Sequence, residues 1–137
     1  MIGMEPKGLA AILVVDDDRD FLKETMEGLN LPENFPDYNI IGAKDGNEAV
    51  ISYQINDPKV IILDMMLPKR SGFMVFEKLN RDYKERDQQR PGVIMVTANL
   101  GLRHRHYAQS LGVDDYFTKP FNFEKLVWAV RDCLSRK

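Results

Sequence analysis

The residues able to do chemistry in this sequence are a few carboxylates, one hydroxyl and one ammonium, each placed just after a short apolar run. Asp16-Asp17-Asp18 follow Ala11–Val15, Asp64 follows Val60–Leu63, Thr97 follows Val93–Val96, and Lys119-Pro120 follow Asp115–Thr118. Asp64 is the most telling. It stands between four aliphatic residues and Met65, Met66, Leu67 and Pro68, and a carboxylate buried without a partner is costly. A second carboxylate ~5 Å away would add ~3 kcal/mol of repulsion at an effective dielectric of ~20. Lys119 or a bound cation must compensate. Asp18 reads differently, as the cap of the helix that follows.

All-oxygen ligands with no His or Cys nearby suit Mg²⁺ or Mn²⁺ rather than zinc. A divalent ion, an ammonium and a hydroxyl gathered around one carboxylate suit a trianionic phosphoryl group. Aspartate is an accepted covalent nucleophile for phosphoryl transfer. Asp64 is therefore the candidate acceptor, with positioning and charge neutralisation supplying most of the catalysis.

Those residues need a scaffold that brings the ends of several strands to one edge. The runs AILVV, Ile40–Ala43, VIIL, VIMV and DYFT read as five strands. The first, third and fourth are apolar on both faces, as parallel strands covered on both sides are. Between them lie helical stripes: Phe21, Leu22, Thr25, Met26 and Leu29 in one, and Phe123, Leu126, Val127, Val130, Cys133 and Leu134 in another. Asp45 with Glu48 forms a capping box that opens a helix at Gly46. Asn122 caps the last helix, with Phe121 and Leu126 as its staple. Further helices are expected from Gly72 to about Arg81 and from about Leu102 to Leu111. Strand–helix alternation five times over implies a parallel sheet with helices on both faces, whose ligands collect beyond the carboxyl ends of the strands. The segment Asn30–Asp37, with two prolines, reads as an insertion rather than a contact loop.

The whole chain sets bounds on function. Its 137 residues suggest one domain, and a 44% hydrophobic content supports a packed core. Nineteen Lys+Arg against 21 Asp+Glu leave a net charge of −2, which argues against coating nucleic acid or a lipid surface. No run approaches the ~18 apolar residues of a membrane span, and the first ten residues lack the pattern of a secretory signal or a myristoylation site. The single cysteine, Cys133, rules out an internal disulfide and fits a reducing compartment; a cytoplasmic location is expected. His104 and His106 are two apart, so on a helix they point to different sides and cannot share a metal; a solvated face is expected there. Trp128 falls off the apolar stripe of the last helix, which points either to exposure at an interaction surface or equally to partial packing against a neighbouring helix. The seven methionines read as core fillers.

The fragments Val14-Val15-Asp16-Asp17-Asp18, Leu63-Asp64-Met65-Met66-Leu67-Pro68, Val96-Thr97-Ala98 and Lys119-Pro120-Phe121 resemble those of the response-regulator receiver domain of two-component signalling, of the chemotaxis-regulator kind. They occur in that family's order, and the resemblance runs from about Ala11 to Leu134. It implies a flavodoxin-like, doubly wound (βα)5 three-layer sandwich with strand order 2-1-3-4-5. The expected division is an N-terminal extension over 1–10, the receiver over 11–135 and a C-terminal end at 136–137.

Carried over residue by residue, the resemblance makes Asp64 the phosphoacceptor. Asp17 would hold Mg²⁺ or Mn²⁺ directly, Asp16 largely through water, and the backbone carbonyl of Met66 would be a further ligand. Thr97 would hydrogen-bond the phosphoryl group, Lys119 would pair with it, and Tyr116 would be the aromatic switch. The Lys119-Pro120 peptide is expected to be cis. Met66 and Asn99 lie where phosphoryl lifetime is tuned in the family, and a bulky Met66 should hinder attacking water. Ser71-Gly72 stands where many relatives have Asp-Gly, with Ser71 still able to cap.

The implied phosphoryl donor is a histidine kinase or histidine phosphotransfer protein. The implied recipient of the signal is a downstream protein or a covalently attached output domain, through the surface of the fourth helix, fifth strand and fifth helix. That face could also support a homodimer. No direct nucleic-acid or membrane binding by this domain is expected. The resemblance implies a signalling phosphoacceptor that promotes its own phosphorylation and dephosphorylation rather than an enzyme. A phosphorylation-independent binding module is the competing reading. A flavin carrier would be repelled by the three consecutive aspartates, and an aspartyl phosphatase would want a second acid where Met66 stands.

Overall fold

The computed structural model describes residues 9–98 and 102–136. Five strands and five helices alternate: β1 (Ala11–Val15), α1 (Arg19–Leu29), β2 (Asn39–Ala43), α2 (Gly46–Asn56), β3 (Val60–Leu63), α3 (Gly72–Glu85), β4 (Gly92–Ala98), α4 (Leu102–Leu111), β5 (Asp115–Lys119) and α5 (Phe123–Ser135). All pairings are parallel, in the order β2-β1-β3-β4-β5. The expected doubly wound sheet is present, in the expected order.

Side chains alternate across a strand, and here both alternating sets are apolar. Leu13, Val15, Ile61, Leu63, Val93 and Met95 face a cluster completed by Ala49, Val50 and Tyr53 of α2 and Val75, Phe76, Leu79 and Tyr83 of α3, with Ala108 of α4. Ile12, Val14, Val60, Ile62, Ile94 and Val96 face the other way, onto Leu29 of α1 and Leu126, Val127, Ala129 and Val130 of α5. Two cores thus clamp one sheet, which explains why the central strands read as uninterrupted hydrophobic runs.

The caps hold with one change. Asp18, Asp45, Ser71 and Asn122 each accept a backbone N–H from the first turn of the helix that follows. The return bond of the Glu48 carboxylate goes to the N–H of Lys44 at 2.9 Å, one residue before the cap. Helix α3 runs four residues beyond the expected end near Arg81. Its last turn is held by Tyr83, 2% exposed, whose hydroxyl donates to Asp57 at 2.6 Å. The flanking charged residues hide that anchor in the sequence. Strands β4 and β5 also extend past their expected ends, to Ala98 and Lys119.

The 30–37 segment, read from sequence as an insertion, is anchored to the domain. Phe35 is buried in the α1–α5 core, and the Asn34 amide donates to the Gly28 carbonyl at 2.7 Å. The expectation for methionine is half right. Met65 and Met95 are buried, whereas Met66 and Met74 are more than half exposed, because the β3–α3 loop and the first turn of α3 turn them to solvent. Trp128 is 72% exposed, and both histidines of α4 are exposed. No described helix is long and apolar enough to cross a membrane.

Candidate functional site

Strand order reverses between β1 and β3, and that crevice is where an open parallel sheet leaves room for a ligand. Register fixes what stands there. Val15 pairs with Leu63, so the next residues, Asp16 and Asp64, leave the sheet side by side. Leu63 pairs with Met95, and Thr97 lies two further on, opposite Thr118; Ala98 is opposite Lys119. The expected rim is therefore assembled by hydrogen-bond register alone.

Side-chain geometry tightens it. Carboxylate oxygens of Asp16, Asp17 and Asp64 lie within 4.8 Å of one another. Asp16 and Asp64 are 1% and 6% exposed, while Asp17 is exposed. The Lys119 ammonium is 2.8 Å from Asp16 and 3.8 Å from Asp64. At an effective dielectric of about 20 those attractions are roughly 6 and 4 kcal/mol before desolvation, so the ammonium is held chiefly by Asp16. The other Asp16 oxygen accepts the Asp18 N–H at 2.9 Å. Both Asp16 oxygens are thus engaged within the protein, and Asp17 is the member of the trio best placed to meet solvent.

Asp64 is incompletely compensated. Its carboxyl accepts the Met66 N–H at 3.0 Å. Burial, seconded by the charge of Asp16, still pushes its pKa up to about 6, against the pull of that N–H and of Lys119. The Thr97 hydroxyl lowers it weakly, approaching the carboxyl without completing a hydrogen bond. Thr97 is 0% exposed, and its oxygen is the buried side-chain polar atom left without a hydrogen-bond partner among the described residues. A buried hydroxyl in that condition is uncommon in folded proteins and calls for an explanation.

The acids have a rigid floor. Gly72 opens α3 so close to the Asp64 backbone that a Cβ there would sit 2.1 Å from the Asp64 carbonyl oxygen. Gly46 at the start of α2 meets the Arg70 carbonyl in the same way, at 2.0 Å. The loop from 64 to 71 is pinned between two helix starts, and the Gly72 N–H donates to the Met65 carbonyl at 2.9 Å. The Lys119-Pro120 bond is cis, as expected.

Tyr116 is buried at 9% exposure, its ring covered by the Arg105 guanidinium at 5.1 Å. Met66 stands exposed beside the acids. Asn99 lies outside the described residues. One neighbour was not singled out as part of the site from sequence: Phe21 presents its ring face to the Lys119 ammonium at 4.0 Å. Its place in an apolar helical stripe gave no sign of that contact.

Three acids, a half-buried ammonium and an orphaned hydroxyl form a donor set suited to a hard divalent cation and an anion together. They hold an excess of negative charge that a cation would relieve, and the Thr97 hydroxyl lacks the partner that a phosphoryl oxygen would supply.

Comparison with known proteins follows the same line. The family model of the response regulator receiver domain matches residues 12–131. Among curated proteins, the chain is 36% identical over 128 residues to the transcriptional regulatory protein CpxR of Escherichia coli, covering 91% of this chain and 49% of that one. It is 34% identical over 127 residues to the probable transcriptional regulatory protein TcrX of Mycobacterium tuberculosis, covering 91% and 50%. The chain therefore spans about half the length of these relatives. Among solved structures, the receiver domain of the Francisella response regulator 1452 superposes with a TM-score of 0.78 at 26% identity, covering 93% of this chain and 98% of that one. The BeF3-activated receiver domain of DrrB, a Thermotoga maritima protein, gives 0.77 at 29% identity, covering 93% and 99%.

Proposed function

The chain belongs to the response regulator receiver domain family, and from that membership we propose that Asp64 is its phosphoacceptor. The observation that carries the proposal is the raised, buried carboxyl of Asp64 beside the Lys119 ammonium and the unpartnered Thr97 hydroxyl. An Asp64 oxygen attacks phosphorus, an O–P bond forms, and the P–N bond of a phosphohistidine breaks. The leaving imidazole keeps its electron pair and takes up a proton. Lys119 balances charge on the transferred group, and Thr97 donates a hydrogen bond to one of its oxygens.

Asp17, Asp64 and the Met66 backbone carbonyl would hold Mg²⁺ or Mn²⁺, with Asp16 acting through water because its own oxygens are already engaged. When bound, the ion neutralises charge shared by acceptor and donor. Thr97, drawn toward the phosphoryl group, would lend its signal to Tyr116, whose packing on Arg105 ties β5 to α4. The α4–β5–α5 face then contacts a downstream protein, an attached output domain or a second copy. The domain proper is taken as 11–135, acting in the cytoplasm and accepting its phosphoryl group from a histidine kinase or phosphotransfer protein. Met66, more than half exposed at the mouth, and Asn99 would set how long the acyl phosphate survives.

The test is incubation with acetyl phosphate and MgCl₂, followed by intact mass. One phosphoryl adduct is expected, dependent on the ion and absent from Asp64→Asn. A wild-type protein that stays unmodified would favour a phosphorylation-independent binding module.

A further inference from the structure

We propose that Phe21 is a positioning residue for Lys119, a role that rests on the phosphoacceptor reading of the site. The ammonium has three close neighbours: Asp16 at 2.8 Å, Asp64 at 3.8 Å and the Phe21 ring at 4.0 Å from its centroid. An ammonium over an aromatic face is attracted to it, most strongly where water is kept away. Here the Lys119 side chain is only 22% exposed. The ring therefore supplies attraction to the ammonium without adding a further anion to a site that already holds three.

The ring is itself held. The Phe21 N–H donates to the Asp18 cap at 3.2 Å, which fixes the start of α1. Phe121 meets the ring edge to face at 6.1 Å, and Phe117 backs Phe121 at 5.4 Å. Phe21 also lines an open groove of about 600 Å³ with Pro120, Phe121 and Phe123, so core packing alone does not require an aromatic ring there. A leucine would satisfy the helical stripe equally well. What it would lack is a negative face to share the ammonium.

Without that face, Lys119 would settle more fully on the carboxylates. A divalent cation would then compete against a tighter internal ion pair, and the ammonium would be less free to swing onto an incoming phosphoryl group. Phe21→Leu should raise the Mg²⁺ dissociation constant, and slow phosphorylation by acetyl phosphate, each by roughly two- to tenfold. Phe21→Tyr, which keeps the ring, should restore both. The ε-methylene signals of Lys119 should lie upfield of the other lysines in wild type and rejoin them in the leucine variant.

The deciding experiment is a double-mutant cycle on Mg²⁺ affinity, by calorimetric titration of the full chain. Phe21→Leu should change affinity when residue 119 is lysine and leave it unchanged in a Lys119→Met background. Phe21→Met serves as a second non-aromatic variant should the leucine protein fold poorly, with circular dichroism as the control. An unchanged or lowered dissociation constant in the single variants, or an equal change in both backgrounds, overturns the role of Phe21. Failure of the wild type to take up phosphate would instead sink the phosphoacceptor reading, and the calorimetric coupling would still report on Phe21.

Discussion

Replacing Asp64 by Asn should make the metal-free protein more stable, and by an amount that depends on pH in a stated direction. The carboxyl is raised from 3.8 to about 6, first by burial and then by the Asp16 charge. At about 1.4 kcal/mol per pH unit, an ionised Asp64 destabilises the folded state by about 3 kcal/mol. The amide removes the charge and keeps an acceptor for the Met66 N–H. Lys119 keeps its closer partner, Asp16.

A folded-state pKa above the unfolded one means that the folded chain binds the extra proton between about 4 and 6. Wild-type stability therefore falls as pH rises through that window. The advantage of the variant should be near zero at pH 4, grow to pH 6 and stay level above it. For a chain of this size, about 3 kcal/mol is worth roughly 10 °C in Tm. Thermal and urea unfolding of both proteins in EDTA, at pH 4.5 and pH 8, would measure it. Saturating Mg²⁺ should close part of the gap, because a ligand of the folded state at tenfold its Kd contributes about 1.4 kcal/mol. A variant no more stable than wild type at pH 8, or a gap equal at both pH values, would refute the reasoning.

Three further outcomes are expected. Gly72→Ala should destabilise by more than about 2 kcal/mol, since the new Cβ meets backbone at Asp64; the same variant should lose phosphoryl uptake in the acetyl phosphate assay. Tyr53→Phe should cost about 1–3 kcal/mol, because it removes the 2.6 Å hydrogen bond to Asp82 that ties α2 to α3. That bond helps to lower the Asp82 pKa against the effect of desolvation, so its contribution should be present at neutral pH and fade on acidification through the range of an ordinary carboxyl; urea unfolding at two pH values checks it. Met66→Asn should shorten the life of the acyl phosphate, measured by phosphate release, and an unchanged half-life of seconds in both proteins would count against a shielding Met66.

Much of the fold was legible in the sequence because its signals are local. Apolar runs of four or five residues mark strands buried on both faces. Asp18, Asp45, Ser71 and Asn122 mark helix starts through bonds that reach only two or three residues. The rim residues were legible too, since Asp16, Asp64, Thr97 and Lys119 stand at or next to strand ends, and a parallel sheet brings those ends together. Where expectation fell short, the cause was contact at a distance. The last turn of α3 depends on Tyr83 meeting Asp57, and the 30–37 segment depends on Phe35 entering the core between α1 and α5.

Sequence by itself determined which side chains stand at strand ends, because hydrophobic pattern and chain direction mark those ends, while the order of the strands is what the resemblance to receiver domains implied. Tertiary structure decided how they divide their charge. Only packing shows that Lys119 lies closer to Asp16 than to Asp64, that Thr97 is left without a partner, and that Phe21 faces the ammonium. Such differences arise from ångström-scale distances in a partly desolvated pocket, where electrostatic energies change steeply with position. No spacing along the chain encodes them.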